Sequence, residues 1–273
     1  MTVINTNISS LKTQAAITSN TRGLEKAMQQ LSTGKRINSA ADDAAGLTIA
    51  SAFRGQIKSL NQEIRNAADG ISLLQTAEGS SVQITSILQR MRELVTQALN
   101  GTYSEDDITN MGTEVTALKD EINRIATDTM WNGYALLDGT FTDKFAQVSD
   151  SATNAISIDT ADLQTSALDG IDDIDFSNPA DVSTDWITSI DDALTTVSNQ
   201  RASFGARMNR LNYTIDNLTN AATNMAASAS RIEDTDYSQA TSDLAKFQVV
   251  QQAATAMLAQ ANQSSQLVLQ LLK

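Results

Sequence analysis

From Ile187 to Ile232, apolar residues recur at alternating intervals of three and four, and this spacing constrains the chain more than any other feature. The stripe runs Ile187, Ile190, Leu194, Val197, Arg201, Phe204, Met208, Leu211, Ile215, Leu218, Ala222, Met225, Ala229, Ile232, with Arg201 its only polar member. Such an interval keeps one face of an α-helix apolar along its whole length, and that face needs another helix to cover it. A second seam, Phe53, Ile57, Leu60, Ile64, Ala67, Ile71 and Leu74, continues with a phase change through Leu88, Met91 and Val95. A third runs Ile108, Met111, Val115, Leu118, Ile122 and Ile125. Asn100-Gly101 separates the second from the third, a dipeptide suited to a sharp reversal. Helices this long require a chain nearly free of proline, and Pro179 is the only one in 273 residues. The prediction is a mainly α fold: a long antiparallel helical bundle or coiled coil built by the N- and C-terminal halves.

Near the middle, a small β-hairpin is expected. Phe141, residues 145–148 and residues 156–158 are rich in β-formers, and Asp150-Ser151-Ala152-Thr153-Asn154 joins the two longer runs. Trp131-Asn132-Gly133-Tyr134 precedes them as a turn that caps the end of the bundle.

The chain ends carry the functional clue. Ile4, Ile8, Leu11 and Ala15 share one stripe, and Ile17, Leu24, Met28 and Leu31 follow in a second phase. At the other end the stripe is Phe247, Val250, Ala254, Met257 and Ala261; Ser264 takes one seam position before Val268 and Leu271 resume it. Between Phe247 and Leu272 no residue is charged, and the faces away from the seam hold Gln, Ser, Thr, Asn and Ala. A helix facing water carries charge on its outer side, so this one suits close packing against further copies of itself. The few large side chains of these stripes release too little free energy to order both ends of a lone chain. The ends are therefore expected to become ordered only when neighbours cover them, with polymerisation seams at Ile4, Ile8, Leu11, Phe247, Val250, Met257, Val268 and Leu271.

Composition excludes several other functions. Histidine and cysteine are both absent, which removes the commonest general base, the commonest metal ligand and every thiolate. With no Gly-rich phosphate loop either, the chain reads as a non-enzyme with no catalytic residue, no metal and no cofactor. Residues 138–192 hold thirteen acids against the single base Lys144, so nearly all of the net charge of −13 sits there. A polyanionic stretch argues against nucleic acid and reads as a solvated outer face. The cluster Asp172-Asp173-Ile174-Asp175 lacks the spacing of a calcium loop. Asp42 and Asp43 are adjacent and so do not face each other as a catalytic pair on a helix; they read as linker residues. No apolar run is long enough to span a membrane. Met1 to Thr6 shows neither the basic nor the apolar region of a cleavable signal peptide.

Two groups of motifs resemble one family. Val3-Ile4-Asn5-Thr6-Asn7, followed by Leu31-Ser32-Thr33-Gly34-Lys35-Arg36-Ile37-Asn38-Ser39-Ala40-Ala41-Asp42-Asp43-Ala44-Ala45-Gly46, is similar to the start of a bacterial flagellin. Ser230-Arg231-Ile232-Glu233-Asp234-Thr235-Asp236-Tyr237, Val249-Val250-Gln251-Gln252-Ala253 and Leu258-Ala259-Gln260-Ala261-Asn262-Gln263 are similar to its end. The resemblance spans residues 1–170 and 183–273, and the central segment is too short for the extra outer domains of larger flagellins. It implies an inner domain of terminal helices (1–41 with 237–273) and an outer helical bundle domain with the β-hairpin (42–236), joined near Gly34 and Ala40-Ala41-Asp42-Asp43.

The resemblance also implies a structural subunit that self-assembles into the flagellar filament for swimming motility. Export would be through the flagellar type III apparatus to the extracellular flagellum, with an export chaperone on the C-terminal helix and with filament cap and hook-junction proteins as partners. Leu88-Gln89-Arg90-Met91-Arg92-Glu93-Leu94 is similar to the segment of stimulatory flagellins that Toll-like receptor 5 recognises, with Gln89, Arg90, Leu94 and Glu114 at contacting positions. Taken without the family, the same stretch is a charged helix face whose Leu88 and Met91 pack inward. Two other readings stand beside the filament subunit: a hook–filament junction protein, which shares terminal heptads, and a generic coiled-coil interaction protein.

Overall fold

The computed structural model describes residues 6–142, 144–148, 155–178 and 181–270. Among the described residues five helices dominate: α1 (Ile8–Thr33), α2 (Ala44–Ala98), α3 (Glu105–Asp128), α4 (Asp185–Glu233) and α5 (Tyr237–Gln270). Four two-residue strands, β1 (Met130–Trp131), β2 (Tyr134–Ala135), β3 (Phe145–Ala146) and β4 (Ile156–Ser157), form two hairpins. The chain makes two compact units, one from residues 1–57 with 223–273 and the other from residues 58–222.

In the second unit, α2 and α4 run antiparallel. Arg201 pairs with Glu78 at 2.9 Å and Arg92 with Asp191 at 2.7 Å. Every position of the 187–232 stripe is at least half-buried, and Ile190, Val197, Phe204 and Leu211 are fully so. Along α2 the stripe is unbroken through Ala77, Ser81 and Ile84, all buried. Ser81 tolerates this because its hydroxyl donates to the Ala77 carbonyl at 2.8 Å. The reversal after α2 is closed by a capping box at the start of α3, where Ser104 accepts from the Asp107 amide and Asp107 accepts from that of Ser104.

The expected hairpin is present, with Phe145 opposite Ser157 and Ala146 opposite Ile156; its connecting residues 149–154 lie outside the described residues. The Trp131–Tyr134 turn is itself a hairpin. Asn132 and Gly133 have φ of 49° and 81°, the paired left-handed residues of a type I′ turn, which matches strand twist.

The acidic stretch departs from a purely solvated face. Leu163, Leu168, Ile171, Ile174 and Phe176 are buried between its carboxylates, so the segment is an amphipathic strap that completes the core. It is fastened to α3 by Lys119, whose ammonium donates to the carbonyls of Asp172 and Ile174 at 2.9 and 3.2 Å, and by Asn123, which accepts from the Thr165 amide at 2.9 Å. A Cβ at Gly112 would collide with the Phe176 side chain, which makes room for the strap on α3.

Candidate polymerisation interface

Helices α1 and α5 lie antiparallel. Asn7 caps α1 by accepting from the Ser10 amide at 3.0 Å, and its side-chain amide donates across to the Ala261 carbonyl at 3.0 Å. Midway along α1, buried Asn20 donates to the Phe247 carbonyl at 2.8 Å and to Gln251 Oε1 at 2.9 Å. The Phe247 ring rests against Gly23.

The seam between these helices uses only part of the expected stripes. On α1 the covered face is Ser10, Thr13, Ile17, Asn20, Leu24, Ala27 and Leu31; on α5 it is Phe247, Gln251, Ala254, Leu258 and Ala261. Both sets keep the alternating spacing of a coiled coil. Ile8, Leu11 and Met28 on α1, with Val249, Val250 and Met257 on α5, remain exposed, Leu11 at 56 % and Met257 at 62 %. The stripe that begins with Ile8 and Leu11 thus lies outside the intrachain seam. The C-terminal stripe divides: Phe247 faces α1 while Val250 and Met257 do not. Ile4 and Leu271 lie outside the described residues, as does the side chain of Val268.

The two motif groups, nearly 200 residues apart in sequence, meet beside this pair. Gly34 ends α1 with φ of 70° and donates to Gln30 at 2.9 Å, a left-handed cap that favours glycine. Its carbonyl accepts from the Thr235 amide at 3.0 Å, and the Arg36 amide donates to the Glu233 carbonyl at 2.6 Å, so Lys35 and Asp234 form an antiparallel bridge. The Glu233 carboxylate, only 8 % exposed, receives Lys35 Nζ at 2.6 Å and Arg54 Nη1 at 3.3 Å. Asp42 binds Lys26 at 2.9 Å and accepts from Ser39 and from the amides of Asn38 and Ser39. The Lys26 ammonium above all, helped by those donors, holds the Asp42 carboxyl down at about 2. Asp43 caps α2 by accepting from the Gly46 amide at 2.9 Å. These charges form a clasp that the sequence reading missed, since nothing in the spacing links positions 35, 54 and 233.

In the other unit, Arg90 bridges Glu114 on α3 at 2.9 Å and Glu93 at 3.0 Å. Gln89, Arg90 and Glu114 are exposed, whereas Leu94 is 2 % exposed and belongs to the core. Among the described residues no helix is long and apolar enough to cross a membrane.

Two family models match: the bacterial flagellin N-terminal helical region over residues 4–142 and the bacterial flagellin C-terminal helical region over residues 187–272. This chain belongs to the bacterial flagellin family. It is 41% identical to a flagellin of Bacillus subtilis (strain 168), the match covering 99% of each chain. It is also 36% identical to a flagellar filament 33 kDa core protein of Treponema phagedenis, covering 99% of this chain and 100% of that one. The crystal structure of Bacillus cereus flagellin superposes with a TM-score of 0.50 at 38% identity, covering 60% of this chain and 94% of that chain. This flagellin is therefore a structural subunit of the motility filament, and the alternative of a hook–filament junction protein is not favoured.

Proposed function

We propose that this flagellin polymerises through the outer sides of its paired terminal helices, while the intrachain seam between α1 and α5 sets their register. One observation carries the reading: the α1–α5 pair leaves Ile8 and Leu11 exposed on α1, and Val249, Val250 and Met257 exposed on α5, where no residue from Phe247 to Leu272 is charged. Apolar side chains on an uncharged helix leave water by packing against another apolar surface, and a second copy of the helix supplies one. Ile4, Val268 and Leu271 continue the same sequence spacing. The proposed inner domain is residues 1–41 with 237–273 and the outer domain residues 42–236; the compact unit of residues 1–57 with 223–273 takes in the clasp and the first turns beyond it. The role is structural, without catalysis.

Export through the flagellar type III apparatus, extracellular placement in the filament, and the cap and hook-junction proteins as partners come with the family resemblance. Before export, a chaperone would take the uncharged α5 face. Self-assembly on adding salt or seeds, followed by electron microscopy, tests the reading. Regular filaments are expected, and a chain that stays monomeric under every seeding condition defeats it.

For innate recognition, the exposed arrangement of Gln89, Arg90 and Glu114 offers a polar face to Toll-like receptor 5, with Leu94 supporting it from the core side. Reporter activation by purified monomer should fall on Arg90→Ala; equal signals remove this assignment.

A further inference from the structure

We propose that Met28 and Met257 are oxidation sites through which a peroxide blocks assembly; the inference rests on the polymerisation reading above. Methionine reacts in proportion to how freely an oxidant reaches its sulfur. Among the described residues, three methionines are largely open to solvent: Met28 at 50 % and Met257 on the terminal helices, and Met130 at 58 % on β1. Met91 and Met111 are buried in the α2–α3–α4 core. Two of the three reactive sulfurs thus stand on the helix pair that assembly must bury, that of Met257 about two turns beyond Val250 on α5 and that of Met28 in the last turns of α1.

The chemistry is a two-electron oxygen transfer. The thioether sulfur attacks the distal oxygen of hydrogen peroxide, the O–O bond breaks, an S–O bond forms, and water leaves. Sulfur is oxidised by two electrons and the peroxide reduced by two, with no further reactant needed. The product keeps the length of methionine but carries a polar, chiral sulfoxide. In the lone chain this group remains hydrated at almost no cost. In a polymer it would replace a thioether packed among apolar neighbours, and the desolvation of its sulfoxide oxygen opposes burial. The consequence is one-way gating: unassembled subunits are sensitive, while subunits already in a filament have these sulfurs covered and resist. Reduction of the sulfoxide restores competence.

The test oxidises purified full-length monomer with hydrogen peroxide, maps sulfoxides by mass spectrometry and measures the critical concentration for seeded growth. Oxidised wild type is expected to need a concentration at least about tenfold higher, the change that corresponds to about 1.4 kcal/mol. Met28→Leu with Met257→Leu should show the same critical concentration with and without peroxide even though Met130 is oxidised, and Met130→Leu should give no protection. Sulfoxide reductase treatment of oxidised wild type should restore growth. The proposal falls if wild type carrying both sulfoxides grows at the untreated critical concentration. It falls equally if the Met28→Leu, Met257→Leu chain loses growth on oxidation. Failure of the untreated chain to grow at all would overturn the polymerisation reading, and so is distinct from either result.

Discussion

The ring of Phe247 occupies the space that any side chain at position 23 would need: a Cβ on Gly23 would lie 2.7 Å from its Cε1 and Cζ atoms. Glycine costs a helix interior about 1 kcal/mol relative to alanine, and here that cost makes room for the largest side chain of the α1–α5 seam. Gly23→Val should push the ring out of the seam or spread the helices. The expected result is a critical concentration for filament growth raised about tenfold, equivalent to about 1.4 kcal/mol. Adding Phe247→Ala to that variant should recover part of the loss, because the two changes then complement in volume. Sedimentation of polymer against monomer measures both, and additive losses in the double variant would show that the two residues do not act as a pair.

A polar residue in the middle of the same seam sets its register. Buried Asn20 donates from its side-chain amide to α5 twice, once to backbone and once to Gln251. A lone buried Asn in a coiled coil gives up stability in exchange for one alignment. Asn20→Leu should therefore increase the helicity and thermal midpoint of the isolated chain while reducing the fraction of polymer that is regular. Circular dichroism and electron microscopy read the two effects separately. A variant with more stable helices and equally regular filaments would remove the register role.

The Asp42 latch makes the linker acid-sensitive in a defined direction. Its carboxyl is held at about 2 against an ordinary value of 3.8, chiefly by Lys26. A depressed folded-state value means that the stabilising contribution is complete above the unfolded value and is lost as pH falls from about 4 to about 2. The amides of Asn38 and Ser39, which donate to this carboxylate, should lose protection from hydrogen exchange over that range. In Asp42→Asn their protection should be weaker at neutral pH and flat across the window; an unchanged profile would place the acid sensitivity elsewhere.

Much of the helical scaffold is legible because large apolar residues report their own spacing, as Phe204 and Leu211 do in α4. The middle of α2 is harder to read, since Ala77 and Ser81 are buried through smallness and do not look like core residues. On α5 the spacing admits two neighbouring stripes. Gln251 is taken into the intrachain seam because it answers Asn20, and that displaces Val250 and Met257 to the exposed side. Acidic density concealed the core-forming role of Ile171 and Phe176, whose burial depends on the length of the strap and on the bare surface of Gly112. The motifs around Gly34 and Glu233 gave the family, but their mutual bridge is a long-range pairing with no periodic signal.

That bridge leads to a prediction about uncompensated charge. With both cations removed, in Lys35→Met with Arg54→Met, the Glu233 carboxylate would be buried without a counter-charge. The double variant should be destabilised by about 3 kcal/mol. Glu233→Gln in the same background should recover most of that loss, because it keeps the shape of the side chain and removes the charge. Thermal melts of the parent, double and triple variants decide it, and an unchanged loss in the triple variant would mean that Lys35 and Arg54 act through packing alone.

The separation of the two seams predicts a dissociation between folding and assembly. Leu11 and Val250 are exposed, so Leu11→Ser and Val250→Ser remove little that the lone chain buries. Surface changes of this kind shift stability by no more than about 0.5 kcal/mol. If neighbouring copies cover these side chains, each substitution forfeits burial worth roughly 1.5–3 kcal/mol at the polymer interface and should raise the critical concentration about tenfold or more. Leu24→Ser, in the intrachain seam, should instead damage both the melting of the isolated chain and its growth. Parallel thermal melts and seeded-growth assays on the three variants distinguish the seams. Normal growth by both Leu11→Ser and Val250→Ser would mean that copies meet on some other face, because an apolar side chain already in water can gain from assembly only where assembly takes it out.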